Sequence, residues 1–144
     1  MKKLALTLLL ASLPLSNFAF ATETAAVKTS SFKVIHANDL EQLMKTEAAN
    51  VHVFDANDDK TRKSDGMIPS AKALASSSHY DVATLPADKN SKVVFYCYNT
   101  SCTASHDAAK VAMKAGYTNV YVMADGIDGW KKAGKPTQKF DQKG

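Results

Sequence analysis

Val93, Val94 and Phe95 form an unbroken apolar run inside Lys92–Tyr96, and no stretch after the N-terminal leader constrains the fold as strongly. A strand that is apolar at successive positions is buried on both faces, which calls for a parallel sheet covered by helices on each side. The rest of the chain fits that demand. Strands are expected at residues 32–35, 51–55 and 120–123, with 71–74 as an edge strand. Between them lie helical stretches. One is capped by Asn38 or Asp39 and carries Leu40, Leu43 and Met44 at helical spacing. A weak helix is expected over residues 76–85, stopped by Pro86. An alanine-rich helix runs from Cys102 or Thr103 to Ala115 and is closed by Gly116, and a last helical turn at 126–133 carries Trp130. Residues 57–65 are highly polar and read as a loop or a frayed turn. Strands alternating with helices predict an α/β fold: a central, mainly parallel, five-stranded sheet with helices on both faces.

The first residues stand apart. Lys2 and Lys3 precede an apolar run at 4–15, and Ala19-Phe20-Ala21 is a small-residue cleavage signal before polar Thr22 and Glu23. This is the layout of a secretory signal peptide. The run is short of the roughly 20 residues a membrane span needs, and it contains Pro14. Cleavage after Ala21 and a periplasmic or secreted product are expected, with no membrane attachment afterwards. The division is then a signal peptide at 1–21, a flexible lead-in at 22–31, one domain at 32–137 and a polar tail at 138–144. Removing Lys2 and Lys3 lowers the formal net charge from +4 to +2. The remaining lysines are dispersed rather than gathered in a stripe, which argues against nucleic-acid binding. Lys60, Arg62 and Lys63 read as a solvated loop, and a monomer is expected.

Export places Cys97 and Cys102 in an oxidising compartment, where two cysteines alone suggest a disulfide. Position suggests more. Cys97 follows the buried strand and precedes a helix by a few residues, at the sheet edge where α/β proteins gather function. N–H groups of such a loop and helix start favour an anion and promote the thiolate. A nucleophile and an electrophilic cradle thus share one short loop. A cysteine packing as a small hydrophobe is the bland reading. Its place after the apolar run, rather than within it, counts against that.

Four segments, in order, resemble those of single-domain rhodaneses, the thiosulfate sulfurtransferase family. Phe54-Asp55-Ala56-Asn57 resembles Asp-x-Arg, and Gly66-Met67-Ile68-Pro69-Ser70-Ala71 resembles Gly-His-Ile-Pro-Gly-Ala. Phe95-Tyr96-Cys97 with its loop is the third. Asp125-Gly126-Ile127-Asp128-Gly129-Trp130 with Ala133-Gly134-Lys135-Pro136 is similar to the family's Gly-Gly-x-x-x-Trp and Ala-Gly-x-Pro ending. The resemblance implies that Cys97 takes sulfur from a donor such as thiosulfate as a persulfide and passes it to cyanide or a thiol. Backbone N–H groups of Tyr98, Asn99, Thr100, Ser101, Cys102 and Thr103 would steady the charged sulfur. Asp55 would support the region, and no metal or organic cofactor is implied. The implied partners are a small sulfur-containing substrate and a thiol protein or reductase.

Departures from the family pattern are specific. Cys102 stands where an arginine often closes the loop, which removes a cation that could grip thiosulfate. The same absence argues against the related phosphatase and arsenate-reductase branches, whose longer loops end in arginine. Asn57 replaces an arginine, Met67 a histidine and Asp125 a glycine, the last tolerable because aspartate visits left-handed conformations. Cys97 and Cys102 also admit an alternative function, a thiol–disulfide redox protein in which Cys102 resolves a persulfide or sulfenic acid on Cys97. His106, one turn beyond Cys102, reads as solvent-facing; as a metal ligand it would complete only three of the four ligands of a structural zinc site. His36, His52 and His79 read as surface or satisfied polar positions, and Tyr121 and Trp130 as packing.

Overall fold

A computed structural model describes residues 31–141; the expected signal peptide at 1–21, nearly all of the expected lead-in and residues 142–144 lie outside the described residues. The elements in chain order are β1 (Lys33–Ile35), α1 (Ala37–Thr46), β2 (Val51–Asp55), α2 (Asp59–Asp65), β3 (Lys72–Ala73), β4 (Lys92–Tyr96), α3 (Ala104–Lys114), β5 (Asn119–Met123) and α4 (Gly126–Lys132). The five strands form one sheet in the order β1-β5-β4-β2-β3, and every pairing is parallel.

β4 lies at the centre, with Val93, Val94, Phe95 and Tyr96 fully buried. Alternation along the strands then assigns the two faces. Phe54, Val93, Phe95, Val120 and Val122 meet Ala108, Ala109 and Ala112 of α3 on one side. Val53, Val94, Tyr96, Tyr121 and Met123 meet Ala37 and Leu40 of α1 and Ile127 and Trp130 of α4 on the other. The alanines of α3 bring its backbone close to the sheet, and each fully buried β4 side chain is worth about 1.5–3 kcal/mol of apolar transfer. Cys97, next after β4, turns its side chain to the α3 face.

Three local expectations need correction. Residues 76–85 form no α-helix; only Val82–Thr84 makes a 3-10 turn. Ser76 Oγ accepts from the backbone N–H of Ser78 and His79, a local alternative to the helical ladder. Tyr80 and Leu85 are core anchors too far apart to define a helical stripe. Residues 59–65 are a true helix, capped by Asp58, whose Oδ1 accepts from Thr61 N at 2.8 Å. And α1 is capped at His36, not at Asn38 or Asp39; Asp39 sits three residues in and accepts the His36 N–H at 2.9 Å.

The packed structure also continues past residue 137. Met67 and Gln138 exchange two backbone hydrogen bonds, and Phe140 packs on the α1/α4 core.

Candidate active site at the strand ends

The loop after β4 is held by the turn that starts α4. Ile127 N donates to the Cys97 carbonyl at 2.8 Å and Asp128 N to the Tyr98 carbonyl at 2.9 Å. Gly126 makes this approach feasible. Its φ is +65°, and a Cβ there would lie 2.2 Å from the Tyr98 carbonyl oxygen. Within the loop, Asn99 accepts twice, from Ser101 N through Oδ1 and from Cys102 N through its carbonyl, both at 3.1 Å. Among the described residues nothing accepts the N–H of Asn99, Thr100 or Thr103. Thr103 occupies the N-cap position of α3, so its N–H stands where that helix begins, while Asn99 N lies against the Gly126 turn of α4. Tyr98, Thr100, Ser101 and Thr103 are exposed and Asn99 is half-buried.

Cys97 is 2 % exposed and is joined to Cys102 by a disulfide, with the two Cα atoms 6.3 Å apart. Its sulfur lies 3.3 Å from the hydroxyl of Ser105, which is itself buried. The sequence reading overlooked Ser105. The signal was its place three residues after Cys102 in the first turn of the helix, facing back to the loop. A hydroxyl there can donate to a thiolate or persulfide on Cys97. His106 is half-buried, not simply solvent-facing: its ring stacks on Phe32, with centroids 5.2 Å apart.

Asp55 anchors the other face of the loop's root. It is fully buried at the end of β2, beside Tyr96 in register. Its Oδ2 accepts from the Tyr96 hydroxyl at 2.6 Å and its Oδ1 from Asn57 N at 2.7 Å. The Tyr96 hydroxyl in turn accepts from Ile68 N at 3.1 Å. The cation is Arg62, and here the solvated-loop expectation fails. Arg62 is 3 % exposed; its Nη2 donates to the Asp55 and Leu74 carbonyls, its Nη1 to Asp59, and its Nε lies 3.4 Å from Asp55 Oδ1. A guanidinium from α2 occupies the role that Asn57 cannot fill. Burial pushes the Asp55 carboxyl above its usual range, against the pull of Tyr96, the Asn57 N–H and Arg62. Lys60 lines a groove of about 350 Å³ beside Tyr98, together with Asp58, Thr61, Ser64 and Asp65.

Asp125 also departs from expectation. Its φ is −65°, so no left-handed conformation is involved. Its carboxylate bridges the α4 turn to the start of α1, accepting from Ala37 N at 2.8 Å and meeting His36 Nδ1 at 2.9 Å. That hydrogen bond and the carboxylate charge raise the His36 pKa above 6.5. Burial of Asp125 pulls its pKa upward, but His36 and the Ala37 N–H outweigh it and hold it below 3.8. The His36 contribution is complete below pH 6.5 and fades as pH rises through its raised value. The Asp125 contribution is complete above pH 3.8 and fades as pH falls through its lowered value. Between those limits the clamp is strongest. His36→Gln should therefore lower the melting temperature near pH 5 and have less effect near pH 9. Thermal unfolding of both proteins across that range checks it; an equal loss at both pH values would refute the clamp.

A rhodanese-like domain model matches residues 36–133. No curated protein matches the sequence. Among solved structures, a Rhodopseudomonas palustris protein of unknown function, described as a possible tyrosine phosphatase, is 27% identical, with 76% of this chain and 86% of that one covered and a TM-score of 0.61. A thiosulfate sulfurtransferase from Pseudomonas aeruginosa is 21% identical over 76% of this chain and 21% of that longer chain, with a TM-score of 0.63. The polysulfide-sulfur transferase homodimer of Wolinella succinogenes is 19% identical over 78% and 82% of the two chains, with a TM-score of 0.61. At such identities the last two establish the fold, while the domain match extends from the α1 cap through α4. With its parallel five-stranded sheet and its cysteine loop after the central strand, the chain belongs to the rhodanese-like domain family.

Proposed function

We propose that this protein is a periplasmic sulfurtransferase that carries sulfane sulfur on Cys97. The observation that carries the reading is the placement of Cys97. It follows the central strand in a loop where, among the described residues, the N–H groups of Asn99, Thr100 and Thr103 meet no acceptor, and its sulfur is 3.3 Å from the Ser105 hydroxyl. Once the disulfide is opened, the Cys97 thiolate attacks the outer sulfur of a donor such as thiosulfate, and sulfite leaves with the electron pair of the broken S–S bond. The persulfide then yields that sulfur to cyanide or to a thiol, including a thiol protein. Loop N–H groups and Ser105 supply the electrostatic support for each sulfur anion. The loop holds no cation, so thiosulfate binds with less help than an arginine would give, and slow thiosulfate turnover is expected.

Periplasmic export rests on the leader at 1–21; no helix among the described residues is long and apolar enough to cross a membrane. The Cys97–Cys102 disulfide favours a second reading, a redox protein that exchanges electrons with a partner dithiol without moving sulfur.

Anaerobic reduction, removal of the reductant and incubation with thiosulfate should produce sulfite and leave sulfur from the donor on Cys97 or released from it as sulfide. Cys97→Ser should do neither. Intact-mass spectrometry with sulfite and sulfide assays reads the outcome. A wild-type protein that leaves the donor intact, forming neither sulfite nor sulfide, yet becomes lighter by two hydrogens when a small-molecule disulfide is added as oxidant would overturn sulfur transfer in favour of the redox reading.

A further inference from the structure

The Cys97–Cys102 bond is asymmetric. Cys97 is buried against the alanines of α3, whereas Cys102 is half-exposed on the residue before the α3 cap. Cys102 stands in the same loop, five residues after Cys97, and its sulfur reaches Cys97 without displacing the loop from α4. A persulfide formed on Cys97 therefore has a thiol of its own chain as its nearest acceptor. We infer that Cys102 is a second catalytic residue, which resolves the Cys97 persulfide and makes hydrosulfide the product. This rests on the sulfurtransferase reading and names its acceptor.

The steps balance. Cys97 thiolate and thiosulfate give the Cys97 persulfide anion and sulfite. Cys102 sulfur then attacks Cys97 Sγ. The bond from Sγ to the outer sulfur breaks, and the outer sulfur leaves with the electron pair and takes the Cys102 proton, as hydrosulfide. The product is the disulfide present in the structure. A dithiol reductant closes the cycle, and accessibility dictates where it enters. It attacks Cys102, the reachable sulfur, and expels Cys97 as the thiolate ready for the next donor. Per turn, one sulfane donor is reduced by two electrons and one external dithiol becomes a disulfide. Attack by Cys102 on the outer sulfur instead would merely move the persulfide, release nothing and leave no disulfide.

Single-turnover reactions of anaerobically reduced, desalted protein separate these outcomes. One equivalent of thiosulfate, or of inorganic polysulfide, is added with no external thiol. Sulfite reports the first step with thiosulfate, methylene-blue-detected sulfide the second, and intact mass the state of the protein with either donor. The wild type should release sulfite and sulfide in equal amounts and end lighter by two hydrogens. Cys102→Ser should stop heavier by one sulfur atom and release no sulfide until dithiothreitol is added. Sulfide from Cys102→Ser at the wild-type rate, or a wild type that keeps the added sulfur, would overturn the role of Cys102 while leaving sulfur transfer standing. Absence of sulfite and of any added sulfur or sulfide with both donors would overturn both.

Discussion

Gly126→Ala is expected to cost roughly 3 kcal/mol of stability and to release the cysteine loop from the fold. Two costs add. A non-glycine residue in the left-handed region is strained by about 1–2 kcal/mol, and Gly126 has φ +65°. The added Cβ would also sit 2.2 Å from the Tyr98 carbonyl oxygen and 2.6 Å from Asn99 N. Those are backbone atoms, so either the loop or the α4 turn must move, an overpacking cost of about 1–3 kcal/mol. Moving them breaks the bonds from Ile127 N to Cys97 and from Asp128 N to Tyr98. Gly116→Ala is the matched control: its φ is +93°, but nothing lies within 4 Å of the new Cβ, so only the backbone cost of about 1–2 kcal/mol applies. Urea unfolding should separate the two variants. Alkylation of the reduced proteins should report a changed Cys97 rate in Gly126→Ala alone. Equal losses in both variants would mean that the close approach to Tyr98 carries no weight.

Much of this architecture was legible because it is written in contiguous residues. The apolar run of β4 called for a parallel sheet buried on both faces, and the strands at 51–55 and 92–96 fall where their β-forming and apolar residues lie. The cysteine loop was legible for the same reason, since strand, loop and helix follow one another. What stayed hidden depends on partners distant in sequence. Arg62 sits in a stretch so polar that it reads as solvated, and only the fold shows that Asp55 and the Leu74 carbonyl wait for it. Asp125 read as a conformational substitute for glycine because its partners, His36 and Ala37, lie at the other end of the domain. Ser105 carries only the weak signal of its spacing from Cys102; it acquires meaning once Cys97 is placed across from it. Gln138 and Phe140 looked like a polar tail because a two-residue bridge to Met67 leaves no periodic pattern.

The same reasoning makes Arg62→Met strongly damaging despite its polar setting in the sequence, with a loss of about 3–5 kcal/mol expected from leaving a buried charge without its partner. Methionine keeps most of the apolar stem but donates nothing to the Asp55 and Leu74 carbonyls and leaves the Asp55 carboxylate beside only Tyr96 and the Asn57 N–H. The pH dependence distinguishes this from simple loss of packing. Burial already holds the Asp55 pKa above its unfolded value near 3.8, and Arg62 is one of the groups that oppose the shift. Without it the folded-state value rises further. A carboxyl with a raised folded pKa contributes fully below the unfolded value and loses that contribution as pH rises through the folded one. The gap between wild type and Arg62→Met should therefore be widest at neutral pH and narrow toward pH 4, where Asp55 can take up its proton and remain bonded to Tyr96. Adding Asp55→Asn to Arg62→Met should recover part of the loss at pH 7, since the pair is then removed rather than broken. Denaturant midpoints of the wild type, Arg62→Met and the double variant at pH 7 and pH 4 check this. A gap independent of pH would show that the guanidinium acts through its carbonyl bonds alone, and Asp55 would then hold the root of the cysteine loop through Tyr96 without its charge.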